Sequence, residues 1–256
     1  MDGRTAIVTG GSMGLGRAIA QEFARSGANV AMIARRPEVL EEAKAALASD
    51  GPGTIDGFVC DMSDAAAIGP MFELVGKALG PVDVIVNNAG SSQRGPFLEI
   101  TDAMWQADLE LKLFGAIRLT RLAFPGMIER RWGRIVNVLN VGAKAPPAGG
   151  APTAVSRAAG MALTKVLAGE GAPHNVLVNA LMVGRIVSDQ IARRHAAADT
   201  NQSLEEYIAE AGEAIPMGRM GTAQEFANIA TFLASDAGSY ITGTAINVDG
   251  NLSSVV

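Results

Sequence analysis

The chain has little of what staples or anchors many proteins. A single cysteine, Cys60, excludes an internal disulfide and a thiolate zinc site, and fits a reducing compartment. No basic stripe runs through it: 21 lysines and arginines stand against 26 acids, a net charge of −5, which argues against nucleic acid as a partner. No run reaches the ~18 uninterrupted apolar residues of a membrane span. The first strand is expected by residue 4, leaving no room for a signal peptide, so the expectation is a soluble, cytoplasmic protein. Internal repeats, low-complexity tracts and linkers are absent, and no metal site is expected. The 256 residues suit one α/β domain able to bury most of its apolar surface.

What is present starts at the N-terminus. An apolar strand over 5–9 leads into Gly10-Gly11-Ser12-Met13-Gly14-Leu15-Gly16, and a helix-like run follows over 17–25. Strand, glycine-rich turn and helix N-terminus together suit a phosphate-bearing ligand. Unpaired N–H groups and the positive helix end favour an anion, and glycine lets backbone approach it closely. A tight strand-to-helix turn alone would also explain the glycines.

Further strands are expected over 29–34, 54–60, 82–86, 134–139, 175–181 and 244–248, and helices over 38–49, 64–79, 153–170 and 222–234. A long helical stretch over 101–131 is expected to be disturbed at Pro125-Gly126. Alternating strands and helices imply right-handed crossovers and a doubly wound parallel sheet of about seven strands, with ligands at the strands' carboxyl ends. Residues 183–214 form a polar excursion with helical segments over 191–197 and 204–211. It reads as a lid or substrate wall, or as a passive surface excursion.

With Thr9-Gly10-x-x-x-Gly14-x-Gly16, Asn87-Asn88-Ala89-Gly90 and the ending Tyr240-Ile-Thr-Gly-Thr-Ala-Ile-Asn-Val-Asp-Gly250, the chain resembles the short-chain dehydrogenase/reductase family from end to end. The resemblance implies a single Rossmann-type domain over 1–256, a nicotinamide cofactor and a homotetramer or homodimer. It places Gly10, Ser12, Met13, Gly14, Leu15 and Gly16 at the cofactor, with Asn88, Ala89 and Gly90 as neighbours. Asp61, beside Met62, matches the family's adenine-facing aspartate; a plain helix cap is the other reading. Family members that use NAD place an acid after the second strand, where this chain has Arg35 and Arg36. Forked guanidinium donors match a phosphate and cannot accept from a ribose hydroxyl, so NADP(H) is expected over NAD(H). A solvated pair of charges is the alternative. Gly184, Ile186 and Ser188 take the place of the family's nicotinamide and phosphate contacts.

The positions that carry the family's proton chemistry hold other residues. The Tyr-x-x-x-Lys frame reads Thr153-Ala-Val-Ser-Arg157, Asn140 stands at the serine position and Lys112 at the asparagine position. A phenol titrates near ~10 and an aliphatic hydroxyl nearer ~15.7, a gap of about 7–8 kcal/mol at 1.36 kcal/mol per pH unit. Thr153 alone therefore does not replace a tyrosine, though it can hydrogen-bond a ligand. Arg157 can hold ribose hydroxyls but does not give up its proton. Asn140 can donate to a carbonyl. Lys112, desolvated near a fixed cation, is a candidate general acid, or else a helix lysine paired with Glu110 or nearby acids. Lys144, and Tyr207 and His195 on the excursion, are further candidates. Three functions fit: an NADP(H)-dependent oxidoreductase acting on a carbonyl, alcohol or activated C=C or C=N substrate; a silent NADP(H)-binding sensor or partner subunit; or a non-redox lyase or isomerase.

Overall fold

The structure is a computed structural model that describes residues 1–198 and 201–256. Each short apolar run becomes a parallel strand because helices cover both faces of the sheet. The strands are β1 (Thr5–Thr9), β2 (Asn29–Ala34), β3 (Ile55–Val59), β4 (Val82–Asn87), β5 (Gly133–Asn140), β6 (Val176–Val183) and β7 (Ala245–Val248). They form one sheet in the order β3-β2-β1-β4-β5-β6-β7, with every pairing parallel. The helices are α1 (Gly14–Arg25), α2 (Pro37–Leu47), α3 (Ala65–Leu79), α4 (Asp102–Leu109), α5 (Gly115–Arg130), α6 (Thr153–Gly171), α7 (Asp189–Ala197), α8 (Leu204–Glu213) and α9 (Ala223–Ala234).

Alternate strand residues feed opposite cores, as the two-residue strand repeat requires. Ala6 and Val8 of β1 pack with Ile19 and Phe23 of α1 and Phe226 and Leu233 of α9. Ile7 faces the other way, toward Ile68 of α3 and Leu119 and Met127 of α5. Strand order reverses beside β1, which lies between β2 and β4, so a crevice opens at the carboxyl ends there. Among the described residues no helix is long and apolar enough to cross a membrane.

Two expectations about elements need correction. Helix α1 begins at Gly14 rather than residue 17, so the second half of the glycine turn is already helical. The irregularity in the 101–131 stretch lies not at Pro125-Gly126 but at a π turn over Glu110–Phe114, and α5 runs unbroken through Pro125. Proline forfeits one ladder bond, yet buried Leu119, Ala123 and Met127 hold α5 to the sheet around it. At the π turn the Gly115 N–H bonds the Glu110 carbonyl. A side chain at Gly115 would put its Cβ 2.6 Å from the Met62 carbonyl oxygen. The π turn thus lets bare helix backbone rest on the loop after β3.

Candidate active site

A cleft of about 770 Å³ opens at the carboxyl ends of the central strands. Its floor comes from the turn after β1. Gly10 has φ +66°, and a Cβ at Gly16 would stand 2.2 Å from the Gly10 carbonyl oxygen, so neither position accepts a side chain. The Asn88 amide nitrogen donates to the carbonyls of Thr9 (2.9 Å) and Gly10 (3.3 Å). Thr9 Oγ1 in turn accepts from the backbone N–H groups of Asn88 and Ala89, both at 2.9 Å. The Asn-Asn-Ala-Gly stretch therefore clasps the glycine turn.

Met13 precedes α1 without capping it, which leaves the first-turn N–H groups directed at the cleft. One of them is taken: Gly14 N–H donates to Asp189 Oδ2 at 2.9 Å. A carboxylate from α7 thus occupies the position where the helix end attracts an anion.

Gly10, Met13, Gly14, Leu15, Asn88, Gly90, Asn140, Thr153, Arg157, Gly184, Ile186 and Ser188 all line this cleft. Others expected at a cofactor stand apart from it. Ser12 is buried, Gly16 is used up by the turn, and Met62 is buried with its carbonyl against Gly115. Arg35 lies 3.7 Å from Asp61 in an exposed ion pair, and Arg36 reaches Met13 Sδ at 2.8 Å. Asp61 also accepts from Ser63 N–H (2.9 Å) and Ser63 Oγ (2.7 Å). Burial works against its charge, but the Ser63 bonds and Arg35 hold its carboxyl below the usual range. The cap of α3 is Asp64, accepting from Ala66 N–H, so the helix-cap reading of Asp61 is wrong.

Two of the substituted positions, Lys112 and Thr153, meet in one buried cluster. The π turn aims Lys112 inward, one helical turn from Asp108, and the two pair as a hydrogen-bonded ion pair with side chains 1% exposed. The expected partner Glu110 instead bonds Arg118 at 2.6 Å. Two residues from Lys112, it lies on another face of the helix. Lys112 Nζ also donates to Thr153 Oγ1 at 2.6 Å. That hydroxyl accepts from Gln93 N–H (3.0 Å) and donates to the Gln93 carbonyl (2.7 Å). Ser156 Oγ donates to the other Asp108 oxygen at 2.6 Å. Burial pushes the Lys112 pKa down, Asp108 opposes it, and the charges of Arg157 and Arg94 add to the lowering. Thr153 reaches the cleft wall; Lys112 stands behind it.

Arg157 follows Thr153 by one turn of α6 and lies against Gly90, where a Cβ would come 2.4 Å from its Nη2. Burial drives its pKa down to about 10 despite the attraction of Asp108. Asn140 presents a buried Oδ1 with no hydrogen-bond partner among the described residues.

The remaining candidates separate. Lys144 is removed from consideration, because its Nζ is spent on the Ala245 carbonyl (2.6 Å) and Asn247 Oδ1 (2.7 Å). Tyr207 lines the cleft, whereas His195 packs on its ring at 5.4 Å and bonds the Gln202 carbonyl. Among the described residues no cluster of His, Cys, Asp and Glu could hold a metal ion.

Comparison with known proteins decides the lineage. The family profile described as Enoyl-(Acyl carrier protein) reductase matches residues 10–253. The chain is 33% identical over 252 residues to a 3-oxoacyl-(acyl-carrier-protein) reductase of Aquifex aeolicus, covering 98% of each. This chain belongs to the short-chain dehydrogenase/reductase family. Its fold superposes on L-sorbose reductase from Gluconobacter frateurii, complexed with NADPH and L-sorbose, with TM-score 0.95 and 30% identity over 100% of this chain and 98% of that one. It also matches the apo structure of a short-chain oxidoreductase from Pseudomonas aeruginosa PAO1 containing an atypical catalytic center, at TM-score 0.92 and 35% identity over 99% and 98% of the two chains.

In this short-chain dehydrogenase/reductase, reading the sequence missed Asp108, Ser156 and Gln93. Asp108 had a signal, an acid four residues before Lys112 on one helix face. Gln93 acts through its backbone and carried none.

Proposed function

We propose that the chain is an NADP(H)-dependent oxidoreductase in which Lys112 supplies the substrate's proton through the hydroxyl of Thr153. The 2.6 Å contact from Lys112 Nζ to Thr153 Oγ1, at the wall of the cleft, carries this reading. Relatives whose names specify reductases, one of them complexed with NADPH, support the reaction class.

The residues fit an adenine dinucleotide: a turn with no space for side chains, an uncapped helix end, and a carboxylate standing in for a phosphate. The α1 end and Ser188 would hold the diphosphate, Arg35 and Arg36 the 2′-phosphate, Asp61 the adenine, and Arg157 the ribose beside the nicotinamide. When bound, the coenzyme supplies the hydride. Asn140 orients the substrate oxygen through its amide. The Thr153 hydroxyl turns from the Gln93 carbonyl toward that oxygen and gives up its proton while accepting one from Lys112. Because it accepts as it donates, Thr153 never ionises, and the pKa gap between threonine and tyrosine does not arise. Asp108 keeps Lys112 in position. Helices α7 and α8 wall the substrate side.

A proton supplied in the transition state is worth roughly 10²- to 10⁴-fold. Turnover of ketones, enones or imines with NADPH should fall by that order in Lys112→Met and Thr153→Val. Thr153→Ser should retain most of it, and NADPH fluorescence titrations should be unaltered throughout. Unchanged turnover in Lys112→Met would remove the relay. A silent NADP(H)-binding protein is the second reading, favoured by the closed bonding of Asp108, Lys112, Thr153 and Ser156. Tight NADPH binding with no turnover of any carbonyl class would establish it.

A further inference from the structure

The cleft carries more positive charge than its own residues neutralise. Five arginines line it (Arg94, Arg157, Arg185, Arg193 and Arg194), whereas the only carboxylate among its lining residues is Asp189, in a chain of net charge −5. Arg185 donates to the Ala211 carbonyl at 3.0 Å. Arg193 and Arg194 ride on α7, near Ser188 and the α1 end, where the phosphates of a coenzyme account for them.

Arg94 and Arg157 are at the other end of the cleft. Arg94 follows Gln93, whose backbone brackets the Thr153 hydroxyl, and its own backbone pairs with Pro152. Arg157 is one turn beyond Thr153. Among the described residues neither guanidinium has a hydrogen bond or an ion pair. Asp108 attracts Arg157 but hydrogen-bonds neither guanidinium, its two oxygens being taken by Lys112 and Ser156. Three cations thus gather around Thr153 against one acid. Ribose hydroxyls can satisfy some N–H groups of Arg157, but they are neutral and leave the charge unmatched. A partly desolvated guanidinium calls for an anion, and its planar fork suits a carboxylate.

We propose that the substrate is an oxo acid whose carboxylate is held by Arg94 and the free edge of Arg157, beside the carbonyl that Thr153 protonates. This rests on the oxidoreductase reading above. Thr153 and Arg157 are four residues apart on α6, about 6 Å of helix rise, which suits a carboxylate adjacent to the reacting carbonyl rather than at the far end of a long acid. In the reduction, a C–H bond forms at the carbonyl carbon with the hydride given up by NADPH, leaving NADP⁺. The C=O π bond breaks and its oxygen takes the Thr153 proton. Lys112 replaces that proton and is itself reprotonated from solvent. The carboxylate is unchanged.

The test is calorimetric titration of the full-length protein, free and saturated with NADP⁺, using 2-oxo-4-phenylbutanoate and its uncharged methylamide. The NADP⁺-saturated protein should bind the acid at least tenfold more tightly than the amide. Arg94→Gln should abolish that preference, Arg94→Lys should restore part of it, and NADPH turnover should follow the same order. Arg94 is exposed, so its variants should fold, and matching circular dichroism spectra check this. Equal binding of acid and amide, or a preference that survives Arg94→Gln, would overturn the proposal. So would a preference seen only in the coenzyme-free protein, which would assign the arginines to coenzyme phosphates. Acid preference with no NADPH consumption on any substrate would leave the anion site standing and remove the redox reading instead.

Discussion

Arg35 shows how one residue can be placed correctly while its partner is hidden. It directly follows β2, as expected, two-thirds exposed, with Asp61 rather than solvent at 3.7 Å. Both residues expected on the adenosine half of a coenzyme are therefore already tied to each other. Arg35→Asp sets two carboxylates side by side and removes the proposed 2′-phosphate ligand. NADPH binding should weaken roughly 10- to 100-fold, the worth of one or two charge-assisted hydrogen bonds, while NADH binding changes less. Fluorescence titration with both coenzymes checks this, and unchanged NADPH affinity would free Arg35 of the role. Lys112 teaches the converse. Its desolvation was expected from the sequence and its side chain is buried, but its partner Asp108 was not singled out. The four-residue spacing pointed to Asp108, and the structure shows that this face, not that of Glu110, turns inward.

Among the elements, α9 has the most completely specified start. Thr222 and Glu225 form a reciprocal capping box, and Arg219 grips the same carboxylate with two donors at 3.0 and 2.6 Å. The Arg219 bonds, then the Thr222 N–H, bring the Glu225 pKa down to about 2. A carboxyl lowered on folding adds stability that is complete above its unfolded value, near ~4.3, and disappears as pH falls through the folded one. Wild type should thus melt above Glu225→Ala at pH 6, with the two Tm values converging as the pH approaches 2. A gap that persists at low pH would mean that Glu225 acts by packing. Elements of this kind were legible in the sequence. Caps, glycine stops and apolar runs are local signals, and β1, β4 and α9 fell within a residue or two of expectation. The π turn was not, because the contact it makes is with the Met62 backbone, far away in the chain, where only Gly115 can rest. Proline, the local signal, pointed to the wrong place.

At the scale of the molecule, the fold brings separate chain segments, from the turn after β1 to Leu252, to one crevice, and sequence alone named about half of what lines it. Contacts that cross the crevice were beyond its reach, because nothing in residue spacing links positions 14 and 189. That contact makes coenzyme capture a contest. Asp189, at the first position of α7, is a resident competitor for the Gly14 N–H. A diphosphate bound at this helix end, as proposed above, would have to displace Asp189 and so release the first turn of α7. Asp189→Asn, weaker as an anion mimic, should therefore raise the NADPH association rate several-fold in stopped-flow fluorescence. No acceleration would show that the carboxylate leaves freely. On the proposed function, gaining the coenzyme and unfastening α7 are two sides of a single displacement.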